Sequence, residues 1–250
     1  MAQQEIGPRL GSGKMAEAFA YGDAVLKLYR APGARAQAFG EAAILAIVAE
    51  HGLPTPQVLE AGRFAGRWGV VMTRAEGKPL AESEPSIVPA ALEEMVRLHL
   101  AIHARPEPRL RPLKSRLADR IAHGAQLDDP VRKVLLAHLA TLPDGNRLCH
   151  GDFHPFNIIG PPGATTVVDW PDATSGPPAA DACRSYLLMH GPRLDLADAY
   201  LARYAARSGL APTEILAWLP TLAAARLTED VPEEVPRLLD LARGVSPAVA

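Results

Sequence analysis

Short apolar runs separated by turn residues fill the first third of the chain, and apolar residues at helical spacing dominate the remainder. Ile6 to Gly11, Ala16 to Tyr21 and Ala24 to Tyr29 read as strands, with Tyr21-Gly22-Asp23-Ala24 a tight turn between the last two. From about Ala34 to His51, Phe39, Ala43, Ile44, Ile47 and Val48 recur on one helical face, and Gly52-Leu53-Pro54 ends the helix. Two more strands are expected at Pro56 to Glu60 and Arg67 to Met72. Helices are then expected over Pro89 to His103, Arg111 to Gln126, Val131 to Leu142, and residues 180–190, 194–208 and 213–227. The longest loose stretch runs from Trp170 to Ala180, with Pro171, Gly176, Pro177 and Pro178.

With 250 residues the chain has room for one large domain or two lobes. The net charge of −2 is interspersed, which argues against nucleic acid or an anionic membrane as partner. No apolar stretch reaches the length of a membrane span. Met1-Ala2-Gln3-Gln4-Glu5 lacks the basic-then-apolar pattern of a secretion signal, and two cysteines, Cys149 and Cys183, make no disulfide framework. The expected compartment is therefore the cytoplasm.

One segment carries chemistry. His150-Gly151-Asp152-Phe153-His154-Pro155-Phe156-Asn157 is followed by Val167-Val168-Asp169-Trp170. Phosphoryl transfer from a nucleotide needs a carboxylate to orient the attacking hydroxyl and accept its proton, and oxygen ligands to hold Mg²⁺ on the phosphates. Asp152 suits the first role, and Asn157 with Asp169 the second. Mg²⁺ takes a few protein oxygens and keeps its other positions for phosphate and water.

H-G-D-x-x-x-x-N before an apolar strand ending in D-W resembles the aminoglycoside phosphotransferase and choline kinase family, small-molecule kinases with a protein-kinase-like fold. The resemblance extends from Gly11 to about Tyr186. It implies an α+β, bilobal fold. Residues 1–72 would form a nucleotide-binding lobe with a small antiparallel sheet and one helix. Residues 73–78 would form the hinge, and 79–250 a mostly helical catalytic and substrate-binding lobe. It also implies a Mg²⁺-dependent transfer of the γ-phosphate of ATP, or GTP, to a small-molecule hydroxyl. An aminoglycoside or related antibiotic is one acceptor; choline or an amino sugar is another, and a nucleotide-binding pseudokinase scaffold is the non-catalytic alternative.

Within that frame Gly11-Ser12-Gly13-Lys14 is the loop whose backbone amides could cover phosphates, though an ordinary hairpin turn would also use these glycines. A Walker A loop is excluded by Pro8, by Met15 in place of Ser/Thr, and by the strand that follows. The resemblance makes Lys27, in Val25-Leu26-Lys27-Leu28-Tyr29, the lysine on the nucleotide phosphates, where alternation alone would leave it solvent-facing. Glu41 is the helix carboxylate placed to pair with it. The resemblance further implies that the Thr73 carbonyl and Ala75 amide meet the adenine, with Met72 lining its pocket.

Three features bear on the acceptor. No A-P-E or long activation segment follows Asp169, so a small molecule is favoured over a protein. Asp181, twelve residues on, is expected to brace the catalytic loop. Glu229-Asp230-Val231-Pro232-Glu233-Glu234 either presents carboxylates to a cationic acceptor or spells a helix start, with Asp230 as cap. His99 and His103 at i, i+4 lack the Glu of H-E-x-x-H and read as core-facing or capping rather than metal-binding; Trp218 reads as core more readily than as a pocket wall.

Overall fold

The computed structural model describes residues 4–244, so Met1 to Gln3 of the N-terminal stretch read above for a secretion signal lie outside it. In chain order the elements are β1 (Arg9–Ser12), β2 (Ala16–Tyr21), β3 (Ala24–Tyr29), α1 (Arg35–Glu50), β4 (Val58–Phe64), β5 (Arg67–Thr73), α2 (Val88–His103), α3 (Leu113–His123), α4 (Asp129–Thr141), β6 (Arg147–Cys149), β7 (Ile158–Ile159), β8 (Thr166–Val167), β9 (Thr174–Gly176), α5 (Pro178–His190), α6 (Leu194–Ser208), α7 (Pro212–Leu216), α8 (Leu219–Arg226) and α9 (Val235–Ala242). The chain is α+β, with short 3₁₀ turns between several of these elements.

It divides into two compact units: one runs up to Ala91 and takes in Pro155–Asp172, and the other comprises Leu92–His154 and the chain from Ala173. The first holds an antiparallel sheet in the order β1-β2-β3-β5-β4. Leu26, Leu28, Phe64 and Val71 close its apolar face, with Phe19 and Tyr21 packed against them. Gly22, at φ +59°, turns β2 into β3, a backbone conformation that costs glycine nothing. The expected first strand begins later, at Arg9, because Pro8 has no N–H for the ladder; only its carbonyl pairs, with Ala20 N. The strand expected over Pro56 to Glu60 starts at Val58 and runs on to Phe64, in a hairpin with β5.

The second unit is helical, with the β6–β9 ladder as its one pair of strands among the described residues. The helix expected over 213–227 is two helices, α7 and α8. Pro220, at the start of α8, lacks the amide that a continuous helix would need there, and its ring would crowd the preceding turn. Trp218 at this break is 1% exposed and belongs to the core. Cys149 and Cys183 are both free and buried, and burial pushes both thiols up. No helix among the described residues is long and apolar enough to cross a membrane.

Candidate functional site

In the sheet-bearing unit, Lys27 lies on β3, opposite Ala18 of β2 and Val70 of β5. Its ammonium is 2.7 Å from Glu41 Oε1 on α1 and 2.6 Å from Asp169 Oδ1. Burial alone would lower this group's pKa, but the Glu41 and Asp169 carboxylates outweigh it and hold the lysine charged, above its usual value. Glu41 is 2% exposed, and its second oxygen accepts a hydrogen bond from the Tyr29 hydroxyl. A buried carboxylate without such partners would carry a large desolvation cost. Tyr29 thus fixes Glu41, and Glu41 aims Lys27; burial, with the Glu41 charge, pushes the tyrosine's own pKa up.

A small hairpin brings Asn157 next to the residue before Asp169 despite their spacing. The β7–β8 ladder pairs Ile158 with Val167 and Ile159 with Thr166, and Val168 N donates to Asn157 O at 2.9 Å. The ladder therefore ends with Asn157 beside the residue that precedes Asp169. The hairpin turns at Gly160, where φ is +108° and an added Cβ would sit 2.4 Å from Ala164 O. Asp169 itself adopts φ +65°, uncommon for a residue with a side chain. The adjacent Trp170 is fully buried and donates its indole N–H to Val167 O at 2.9 Å. Asn157 and Asp169 offer oxygen donors, the ligand type a magnesium ion takes.

The glycine turn is held from below. Arg30 donates to Ser12 Oγ at 2.7 Å and to Gly13 O at 3.1 Å, and Gly13 N pairs with Ala16 O. Nothing in the chain lies within 4 Å of a Cβ added at Gly11, so its own neighbours do not demand glycine. Past β5, Met72 is buried, Thr73 exchanges hydrogen bonds with Gln57 through its amide and its hydroxyl, and the chain leaves the sheet through Ala75.

In the helical unit, Asp152 follows β6. Burial pushes its carboxyl up, but the His154 hydrogen bond and the Arg184 guanidinium outweigh that and hold it well below the usual carboxylate range. It is therefore ionised at neutral pH. Arg184 also donates to Gly151 O at 3.1 Å and to Glu229 Oε1 at 2.7 Å.

The backbone leading to Asp152 hangs on Asp181, the first-turn acid of α5. Asp181 Oδ2 accepts from His150 N at 2.6 Å, His99 Nε2 at 2.9 Å and His103 Nε2 at 3.1 Å, and Oδ1 accepts from Gly151 N at 2.8 Å. His99 Nδ1 and His103 Nδ1 each lie 2.6 Å from a tyrosine hydroxyl, of Tyr200 and Tyr204 respectively. Burial drives the fully buried His99 down to about 3, so its ring is neutral. A neutral ring that gives its Nε2–H to Asp181 must accept from Tyr200 at Nδ1. Desolvation would raise the Asp181 carboxyl, but the histidine hydrogen bonds prevail and hold it well below its usual value. The ligand-type atoms of His99, His103 and Asp181 lie within 4.8 Å of one another. They are already engaged as hydrogen-bond partners, so the two histidines are core braces.

The acidic run does open a helical segment, a 3₁₀ turn over Pro232–Glu234 that leads into α9, but Val231 rather than Asp230 stands at its cap position, while Asp230 and Glu233 are exposed. Asp230 takes a left-handed conformation after a 3₁₀ turn, and α9 starts only at Val235 with no side-chain cap. Glu229 receives Arg120 at 3.0 Å, Arg184 at 2.7 Å and Arg226, and Glu234 receives Arg226 through two nitrogens. Sequence reasoning missed these arginines because they are scattered over three helices with no motif. Tyr200 and Tyr204 left a signal, an i, i+4 pair matching the i, i+4 histidines.

The sequence profile of the phosphotransferase enzyme family matches residues 16–218. Solved structures share the architecture. A thermostable mutant of aminoglycoside phosphotransferase APH(4)-Ia, in ternary complex with AMP-PNP and hygromycin B, superposes with a TM-score of 0.74 at 18% identity, over 97% of this chain and 94% of its own. Aminoglycoside phosphotransferase APH(3'')-Id from Streptomyces rimosus, with ADP and streptomycin, gives 0.66 at 20% identity over 88% and 93%. An aminoglycoside-3'-phosphotransferase of type VIII gives 0.64 at 23% identity over 91% and 92%. At such identities the likeness is one of fold. No curated protein matches the sequence.

Proposed function

Because the chain belongs to the phosphotransferase enzyme family and is a small-molecule kinase, we propose that it moves the γ-phosphate of ATP, or of GTP, onto a hydroxyl of a small acceptor, with Mg²⁺ held by Asn157 and Asp169. The observation that carries this reading is the convergence on Lys27: a strand cation, a helix carboxylate and a hairpin carboxylate meet within 2.7 Å. A structural ion pair needs one partner. Two carboxylates on one ammonium suit a cation that must stay charged and aimed when phosphates approach.

Lys27 binds the α- and β-phosphates, and Glu41, fixed by Tyr29, orients it. The Gly11-Ser12-Gly13 turn, steadied by Arg30, covers the phosphates with backbone amides. The Thr73 carbonyl and Ala75 amide meet the base, beside Met72. A magnesium ion held by Asn157 and Asp169 would supply positive charge to offset that of the transferring phosphate. Asp152 accepts a hydrogen bond from the acceptor hydroxyl and aims its oxygen at phosphorus. Its depressed pKa makes it a weak base, which suits a loose transition state in which the proton leaves late. In this reading residues 1–72 handle the nucleotide, 73–78 form the hinge, and 79–250 hold the catalytic loop and the acceptor. The enzyme works in the cytoplasm, where ATP is available.

The test is ADP release across a panel of hydroxyl compounds that includes aminoglycosides, choline, amino sugars, hydroxy acids and sugar phosphates. Asp169→Ala should abolish Mg²⁺-dependent turnover, and Lys27→Ala should lower kcat/KM by about 10² or more. Wild-type turnover by either variant would remove the role given to that residue.

A further inference from the structure

Gly151 leads into Asp152 with φ +81°, a conformation that glycine adopts freely. Its own backbone therefore does little to fix the direction in which Asp152 departs. One turn of α5 grips both polar groups of this glycine. Asp181 accepts the Gly151 N–H at 2.8 Å, and Arg184, three residues on along the same helix, donates from Nε to the Gly151 carbonyl at 3.1 Å. Residues three apart on a helix share a face, so a single rigid element holds both ends.

Arg184 reaches further. Its Nη2 lies 2.7 Å from Glu229 Oε1 and 3.5 Å from Asp152 Oδ1. The other Asp152 oxygen, Oδ2, is 3.3 Å from His154 Nε2. At 3.5 Å the contact with Asp152 acts through charge more than as a hydrogen bond, and the Gly151 bond is the firmer hold. The Arg184 side chain is 6% exposed while that of Asp152 is 26% exposed, so a ligand could meet Asp152 but hardly Arg184. A buried ion pair is weak evidence for stability, because desolvation offsets the attraction. Resting on the phosphotransferase reading above, we propose that Arg184 is a positioning residue for the transfer: it locks the Gly151 peptide and keeps its charge beside Asp152 Oδ1, giving the carboxylate one orientation toward the acceptor hydroxyl. Glu229, which also receives Arg120 and Arg226, anchors the guanidinium.

The test is a double-mutant cycle between Arg184→Gln and Asp152→Asn, read by ATP–Mg²⁺ calorimetry, urea unfolding and the rate of ADP release. The acceptor is the best compound of the panel, or water where no compound turns over. Arg184→Gln alone should lower kcat by about 10- to 100-fold, as misplacement of a reacting group does, with ATP affinity unchanged. On the Asp152→Asn background the same substitution should cost less than about threefold more, because its effect passes through the carboxylate already removed. Arg184→Lys supplies the same cycle if Arg184→Gln does not fold. It keeps the charge, but one nitrogen cannot replace the fork that meets Gly151, Asp152 and Glu229 together, so kcat should fall about tenfold. A folded variant with kcat within about twofold of wild type overturns the proposal. So does a full, multiplicative loss on the Asp152→Asn background, or a parallel loss of ATP affinity, since either marks a merely structural arginine. Asp152→Asn transferring near the wild-type rate, or no ADP release from the wild-type chain, would instead strike the kinase reading itself.

Discussion

Asp181→Asn tests how the catalytic loop is held. The carboxylate is fully buried and receives four donors, three on Oδ2 and one on Oδ1. Asparagine keeps the shape but loses the charge and turns one oxygen into an NH₂ group. In its better orientation the remaining oxygen meets His150 N, His99 Nε2 and His103 Nε2. The NH₂ then points at Gly151 N–H, donor against donor. An unsatisfied buried amide costs about 1–3 kcal/mol, and three hydrogen bonds lose their charge assistance. Roughly 3–5 kcal/mol in total matches the usual cost of breaking a buried charged cluster. For a chain of this length each kcal/mol lowers Tm by about 2–4 °C, so a fall of roughly 10 °C is expected. The same bonds fix the backbone at His150 and Gly151, next to Asp152, so kcat should drop by about 10²-fold at a temperature where the variant stays folded. ATP affinity should hold, because Lys27, Asn157 and Asp169 are untouched. Urea unfolding, calorimetry and steady-state kinetics on one preparation provide the readouts. Stability within about 0.5 kcal/mol of wild type, together with unchanged kcat, would refute the reasoning.

Two further outcomes follow from the same unit. His99 is neutral in the fold, with its pKa lowered from 6.5 to about 3, so below 6.5 the unfolded chain takes up a proton the native chain does not. Stability should therefore be full above pH 6.5 and decline as pH falls toward 3, with a slope of up to about 1.4 kcal/mol per pH unit from this group. Urea unfolding of His99→Gln between pH 6.5 and 5 should show a shallower decline than wild type; equal slopes would contradict the neutral assignment. Glu229→Gln should cost about 2–4 kcal/mol by leaving Arg120, Arg184 and Arg226 crowded around a neutral amide, and added salt should recover part of it by screening. Salt-insensitive stability equal to wild type would show that the arginines do not depend on Glu229.

The segment proposed to carry the chemistry was legible as a unit because it is contiguous: one loop and one hairpin carry Asp152, Asn157 and Asp169, which local spacing marks as candidates. The pairing of Lys27 with Glu41 was legible through the order strand then helix. Tyr29 was not, because nothing in an apolar strand says that its hydroxyl will serve a buried carboxylate from α1. The role of Asp181 as a brace was read correctly, whereas its histidine and tyrosine partners were missed as a set, since they sit on helices far apart in sequence. The run from Glu229 to Glu234 was half legible: Pro232–Glu234 does start a helical turn, with Val231 and not Asp230 at the cap position, but the partners of Glu229 and Glu234 were missed for the same reason. A helix-start pattern is local, and the arginines that claim Glu229 and Glu234 come from α3, α5 and α8. Pro220 and Pro8 were visible punctuation whose effect on the 213–227 helix and the first strand was underestimated.

The central claim is that Asp152 acts on the acceptor while the nucleotide is held elsewhere. Its most direct test is a paired measurement on Asp152→Asn: ATP–Mg²⁺ affinity by calorimetry, and the rate of phosphoryl transfer to an acceptor found in the panel. The account predicts unchanged affinity with kcat and kcat/KM both lowered about 10²- to 10⁴-fold. Normal nucleotide binding with transfer near the wild-type rate would contradict it.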